Sequence, residues 1–470
     1  MRRKHAAGLA MGIATGLMGI GGETWAQSAA PDAAPPAESP AASPAPSDGI
    51  GDSAAPEPAA KPAPAEAAPP AAEPTISDAI AGGKLLLEDR VRYEYVDQAN
   101  LTLRGRSLSE RLRIGWETAD WRGFKALLEF EDVRHADYGH YNVAVPGGAS
   151  LNGKTTYPII NDPSFTELNR AQLTWTPSAN FSFTAGRQRV LIDDQRFVGN
   201  VGWRQDEQTF DALRTDFTFG RLKATYAYVF HVNRIFGQAL DWKSDSHLLN
   251  VTYAVADPLR LEGFVYALDF SNSPANSTLT AGGRVSGKVW AGLVQLAYDA
   301  TYANQSDYRG NTAPFSLNYY QVDLAGTFDI FTVKGDYEVL DGNGTRGFTT
   351  PLATTHGFQG WSDAFAANSG NKTHVDGLRD FNLTLTMKPR FKFKYLYNAE
   401  FLVRYHDFHA ERTGAALATE WDAQIQAAIN PKLTAAIKYA GFHREAVVPA
   451  GTTLAPPSRT KVWFTLEYKL

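Results

Sequence analysis

From Gly83 onward, apolar and polar residues alternate along the chain in one short run after another. Phe124, Ala126, Leu128 and Phe130 alternate with Lys125, Leu127, Glu129 and Glu131. Leu222, Ala224, Tyr226, Tyr228 and Phe230 alternate with Lys223, Thr225 and His231. Phe391, Phe393, Tyr395, Tyr397, Phe401, Val403 and Tyr405 stand against Lys392, Lys394, Asn398, Glu400, Arg404 and His406. A period of two is the signature of a β-strand with unlike faces, here one apolar and aromatic, the other charged. Read through to the end, the pattern predicts strands near 84–96, 106–118, 122–133, 166–176, 181–189, 209–219, 221–232, 246–256, 259–270, 277–286, 289–302, 316–328, 331–340, 377–388, 391–407, 418–429, 432–443 and 459–470.

These are about eighteen strands, an even number, and the links between them alternate in length. Short links such as Pro177-Ser178-Ala179-Asn180, Gly220, Asp257-Pro258 and Asn430-Pro431 are interleaved with long ones at 134–165, 190–208, 233–245, 303–315 and 341–376. Short turns on one side and long loops on the other are the pattern of an all-β transmembrane antiparallel barrel. A soluble sandwich or propeller would not carry so many tyrosines and tryptophans near strand ends. Tyr93, Tyr95, Trp116, Trp121, Trp175 and Tyr468 fit interfacial girdles instead. In the last strand Val462, Phe464, Leu466, Tyr468 and Leu470 share one face, which resembles the C-terminal signal read by barrel assembly, with leucine where an aromatic residue is commoner.

The first 82 residues are different. Arg2, Arg3 and Lys4 precede an apolar stretch from Leu9 to Ile20, and Thr24-Trp25-Ala26 offers a cleavage site, so residues 1–26 read as a signal peptide. Residues 27–75 are mostly alanine, proline, serine and acidic groups, a disordered linker that cannot build a core. The barrel is expected over 76–470. The chain has no cysteine, which excludes disulfide frameworks and thiolate metal sites and suits export through an oxidising compartment. A net charge of -5 without a basic run excludes a nucleic-acid partner. The expected location is the outer membrane of a Gram-negative bacterium, with its lipid and lipopolysaccharide as surroundings and the barrel a monomer.

With the apolar face toward lipid, the charged face lines a lumen. Lys84, Arg90, Arg92, Arg111, Arg113, Lys125, Arg170, Arg214, Lys223, Lys392, Lys394, Arg404, Lys438 and Lys461 fall on it. The stretch Gly186–Asp211, tethered at both ends to strands, supplies Arg187, Arg189, Arg196 and Arg204 together with Asp193, Asp194, Asp206 and Glu207. A barrel this wide holds an aqueous channel unless a loop folds inward, and this stretch is the candidate. Guanidinium groups stay charged and pair with carboxylates in two-point geometry, so these arginines would attract anions while the neighbouring carboxylates brace them.

The sequence resembles the alginate-export family of outer-membrane barrels. The resemblance rests on Gly186-Arg187-Gln188, Asp194-x-Arg196-Phe197-Val198-Gly199, Trp203-Arg204-Gln205 and Phe210-Asp211-Ala212. It rests equally on Tyr337-Glu338-Val339-Leu340 followed by the run from Phe348 to Asp363. It implies an eighteen-stranded porin-like monomer whose electropositive constriction passes an anionic polysaccharide, with periplasmic export or assembly partners left open. The rival reading is an anchor or adhesin whose long loops bind and whose lumen is plugged. No serine, histidine and orienting group fall together as a hydrolase would need, and no cofactor is expected. His406-Asp407-Phe408-His409 reads as a rim histidine pair, and Asp341-Gly342-Asn343-Gly344-Thr345 lacks the later glutamate of a calcium loop, so no metal is expected.

Overall fold

The computed structural model describes residues 74–136, 139–144, 149–365, 374–390 and 396–470. The signal peptide and nearly all of the linker lie outside these, as do Lys392 and Lys394. Eighteen antiparallel strands form one sheet. They are β1 (Lys84–Gln98), β2 (Gly105–Glu117), β3 (Phe124–His135), β4 (Phe165–Ser178), β5 (Phe181–Gln188), β6 (Thr209–Phe219), β7 (Leu222–Asn233), β8 (Trp242–Ala256) and β9 (Leu259–Leu268). The second half comprises β10 (Thr278–Ala291), β11 (Val294–Asp307), β12 (Ser316–Phe328), β13 (Phe331–Leu340), β14 (Leu378–Met387), β15 (Tyr397–His409), β16 (Ala416–Asn430), β17 (Leu433–Arg444) and β18 (Arg459–Lys469). Each strand pairs with its sequence neighbours, and β1 pairs with β18 from Glu88↔Lys469 to Gln98↔Arg459, so the sheet closes. Closure leaves no free strand edge, which is what a sheet in a bilayer requires.

The outer surface is the apolar face. On β2, Leu108, Leu112, Ile114 and Trp116 are exposed while Ser107, Ser109, Arg111 and Arg113 are buried inside. The same division holds for Phe381, Leu383 and Leu385 on β14 and for Phe464 and Leu466 on β18. At the short-turn end, aromatic side chains gather into a girdle. Phe124 stacks on Trp175 at 5.9 Å, and Trp121 and Phe181 join them at 6.3 Å each. No described helix is long and apolar enough to cross a membrane. The barrel crosses with strands.

The interior departs from the expected polar lining. Its half nearest the long loops is an apolar core in which Leu248, Phe264, Leu317, Leu340, Leu378, Phe408 and Phe442 point inward from seven strands. Val190, Val198, Phe348, Leu352 and Phe365 meet them from two loops. Charged inward residues hold the middle and the short-turn half. A second departure is a helix, α1 (Ile76–Ala81), before the first strand. Thr75 caps it and Asp78 closes the capping box.

Candidate functional site

The connection from β5 to β6, residues 189–208, folds inward and crosses the lumen. At its far reach, Asp194 meets Arg284 of β10 at 3.2 Å, Asn250 of β8 donates to Asp193 at 2.9 Å, and Arg196 pairs with Glu338 of β13. Phe197 packs against Phe264, Phe348, Tyr266 and Tyr319 there. The chain then returns to the opposite wall. Arg90 and Arg92 of β1 donate to the carbonyls of Gly202, Trp203 and Arg204, and the Gln205 amide donates to the Ser109 hydroxyl at 2.8 Å. Arg204 itself reaches Glu94 at 3.2 Å and Asp363 at 2.8 Å.

The connection from β13 to β14, residues 341–377, lies alongside. Gly199 N–H donates to Leu352 O at 2.8 Å, Thr354 N–H donates to Gln195 O at 3.0 Å, and Val198 and Leu352 form a parallel bridge. Further on, Ser362 N–H and hydroxyl both donate to Glu420, and Gln359 donates to Glu338. Two glycines make the close approaches feasible. A Cβ at Gly199 would lie 2.3 Å from Thr354 Oγ1, and one at Gly360 would lie 2.4 Å from a Glu420 oxygen. Among the described residues, five of the nine non-glycine positions with positive φ, namely Asp193, Gln195, Val201, Gln359 and Asp363, belong to these two loops. Left-handed backbone at a β-branched residue such as Val201 is costly, so the surrounding contacts must hold it.

Where the two loops meet the wall, rings and cations stack. Trp203 lies flat on His356 with centroids 4.0 Å apart and planes 1° off parallel, and Arg92 covers Trp203 at 4.1 Å. Lys438 Nζ sits 3.9 Å from both Trp203 and Trp361. Each such contact contributes about 0.5 to 2 kcal/mol when shielded from water. His356 Nδ1 is 2.9 Å from Asp363 Oδ1, and Lys461 is 3.3 Å from the same carboxylate. Burial holds His356 well below its ordinary proton affinity; Asp363 opposes this, and Lys438 and Arg204 add to it.

The walls differ in sign. Along β17, β18, β1 and β2, the inward residues Lys438, Lys461, Lys469, Arg90, Arg92, Arg111 and Arg113 outnumber Glu467, Glu88 and Glu94. From β11 to β14, Asp299, Asp323, Asp336, Glu338 and Asp380 outnumber Lys334. The lumen loop reaches both, with Arg196 on Glu338 of the acidic wall and Arg204 on Glu94 of the basic one. Glu207 is fully buried, where burial would raise its carboxyl, but Arg113 and Arg189 hold it well below the usual range. Asp206 beside it is pushed well above that range, by burial first and then by Glu131 and Glu167.

Every described residue expected on the site has a definite place. Arg111 pairs with Glu88 and Glu467, Arg113 with Glu131 and Glu88, and Arg170 binds Glu129 through two nitrogens at 2.9 and 2.8 Å. Arg187 closes on Asp211 at 2.8 Å, Arg189 on Glu207 at 2.6 Å, and Arg214 on Asp216 at 2.8 Å. Arg404 donates to Thr384 at 2.9 Å and lies over Trp361. The lumen loop keeps the rest apart: Arg196, Asp193 and Asp194 lie against β8, β10 and β13, whereas Arg204 lies against β1 and Asp206 is buried near Glu131. His406 and His409 point to opposite faces, His406 held inside between Asp380 and Asp422. Arg92, Lys438 and Lys461 are expected on the lumen face, and His356 and Asp363 only as members of the Phe348–Asp363 run; Arg284 is not expected at all. His356 and Asp363 are partners within one run, but the contacts of Lys438 with His356, Lys461 with Asp363 and Arg284 with Asp194 join residues far apart in sequence, which no local pattern shows.

A closed eighteen-stranded antiparallel sheet with an apolar exterior and inward-folded loops is the architecture of an outer-membrane β-barrel. Among solved structures it resembles Pseudomonas aeruginosa OpdK with vanillate, with a TM-score of 0.63 at 12% identity over 83% of this chain and 99% of that one. P. aeruginosa OccK9 (OpdG) gives 0.63 at 13%, covering 83% and 100%, and Acinetobacter baumannii OccAB4 gives 0.63 at 13%, covering 83% and 98%. These are outer-membrane porins of the OccK/OprD type. No protein-family model and no curated sequence matches the chain, so membership of the alginate-export family has no support.

Proposed function

We propose that the chain is a passive outer-membrane channel for carboxylate-bearing solutes and that its lumen prefers anions. The observation that carries this reading is the inward loop 189–208, which lays arginines across the lumen against a wall rich in Arg90, Arg92, Arg111 and Arg113. A unit charge about 5 Å from a passing ion is worth about 1 to 3 kcal/mol for effective dielectrics between 80 and 20, ample to bias entry. Paired carboxylates keep that attraction moderate, and conduction needs sites weak enough to leave. Small aromatic carboxylates, of which the vanillate held by OpdK is one, and the acidic sugar oligomers implied by the motif resemblance share this chemistry. The lumen loops favour the smaller.

The test is a planar bilayer under a salt gradient. Reversal potentials favouring chloride over potassium are expected, and Arg90→Gln with Arg214→Gln should lower that preference. Both side chains keep some exposure to the lumen. Millimolar aromatic carboxylate should interrupt the chloride current more strongly than an acidic trisaccharide. Cation preference, or indifference to both solutes, would overturn the proposal.

A further inference from the structure

From the way α1 is fastened, we infer that it is a membrane-interface anchor. Its Ile76 and Ile80 face beds into the headgroup and acyl boundary of the leaflet at the short-turn end. Three hydrogen bonds fix the helix to the barrel. Trp116 Nε1–H donates to Ile80 O at 3.0 Å, Trp121 Nε1–H donates to Pro74 O at 3.0 Å, and Ala119 N–H donates to Ala79 O at 2.9 Å. Trp116 belongs to the outward face of β2 with Leu112 and Ile114, so the helix rests against the outer side of the wall and not over the lumen mouth. The link into β1 demands this arrangement. A Cβ on Gly83 would lie 2.5 Å from both Glu117 O and Trp116 Nε1, so only glycine lets the chain fold so closely over that ring.

Ala79 is the helix's one buried residue, and it faces the barrel. Ile76 and Ile80, one turn apart, stay 56% and 54% exposed. Two isoleucines facing water beside an aromatic girdle would waste apolar area. Beside lipid they extend the apolar belt that Leu85, Trp116 and Leu128 already form at this end of the wall. The occupant is therefore lipid, on grounds of continuity with the membrane-facing surface. An amphipathic segment lying in the interface plane buries its apolar face to about 5 to 10 Å.

The absence of cysteine makes single-site labelling clean. Ile76→Cys, Ile80→Cys and Ala81→Cys, each carrying a bimane label, would be reconstituted into vesicles with and without headgroup-proximal nitroxide lipid. Heat-modifiable gel mobility serves as the folding control. Labels at 76 and 80 should be quenched at least threefold more by the nitroxide lipid than the label at 81, with iodide in the buffer giving the reverse order. Equal iodide access at the three positions and no lipid quenching would overturn the inference in favour of a water-facing helix. Shielding that disappears on dilution of protein in lipid would assign the face to a second copy. Shielding that disappears on deletion of residues 27–73 would assign it to the chain's own preceding segment. Either outcome also overturns it.

Discussion

Arg204 holds Glu94 and Asp363 at once while its own carbonyl accepts from Arg90, so one side chain ties the returning limb of the lumen loop to β1 and to the neighbouring loop. Removing one partner of a buried pair leaves the other charge stranded, at a cost of about 3 to 5 kcal/mol. Arg204→Ala is therefore expected to release residues 200–206 from the wall. Protease added to proteoliposomes should cleave there in the variant and spare the parent, and equal protection would show that the backbone contacts suffice. Lys461 remains near both carboxylates and softens the loss.

His356 supplies the pH dependence at the same spot. Its proton affinity in the docked loop is well below the ordinary value of 6.5, chiefly through burial. A released loop thus binds the proton more readily than a docked one. Docking is at full strength above about pH 6.5 and weakens as the pH falls toward the lowered value. Asp206 runs the other way, because its raised carboxyl takes up a proton earlier in the docked state and acid relieves it. Comparing the parent with His356→Gln separates the two. Current fluctuations should grow between pH 7.5 and pH 5 in the parent and grow less in the variant. Identical pH slopes would exclude His356 as the responsible group.

At the scale of elements, the two loops act as one insert, joined by the Val198–Leu352 bridge and wedged into the apolar half of the barrel. Replacing residues 348–363 with a short Gly-Ser linker should raise single-channel conductance severalfold while β1 to β18 still close. Unchanged conductance would place the narrowing elsewhere. Strand positions were legible in the sequence because period-two alternation survives wherever one face meets lipid. The link between β10 and β11 was not: the alternation suggests runs ending at 286 and beginning at 289, yet β10 continues to Ala291. Gly287 lies under Pro258 O, where any Cβ would come within 1.7 Å, so it marks a close approach inside a strand. The helix α1 was invisible because its six residues adjoin an Ala/Pro-rich stretch and show no helical period of their own. Of the site, the charged stretch at 186–211 was legible as an inward loop. Its partners were not, since Arg204 and Asp363 or Lys438 and His356 meet only when the barrel brings together limbs distant in sequence.

The whole molecule depends on the seam where its ends meet. β18 pairs with β17 on one side and β1 on the other, and Arg90 of β1 holds Glu467 of β18 at 2.7 Å across that seam. A closed barrel resists detergent unless heated, because opening it exposes every backbone donor and acceptor along two edges to an environment that cannot satisfy them. The purified protein should migrate faster unboiled than boiled on a denaturing gel. Deleting residues 459–470 leaves β1 and β17 with unpaired edges that β18 no longer bridges. That variant should lose the fast-migrating band and fail to accumulate in the outer membrane, whereas deleting residues 28–73, which precede every described element, should preserve both. A truncated chain that still ran as a compact band would mean that β17 closes directly on β1. The inward register of Arg90, Arg92 and Glu94 against Glu467, Thr465 and Trp463, on which the lumen network rests, would then be dispensable for closure.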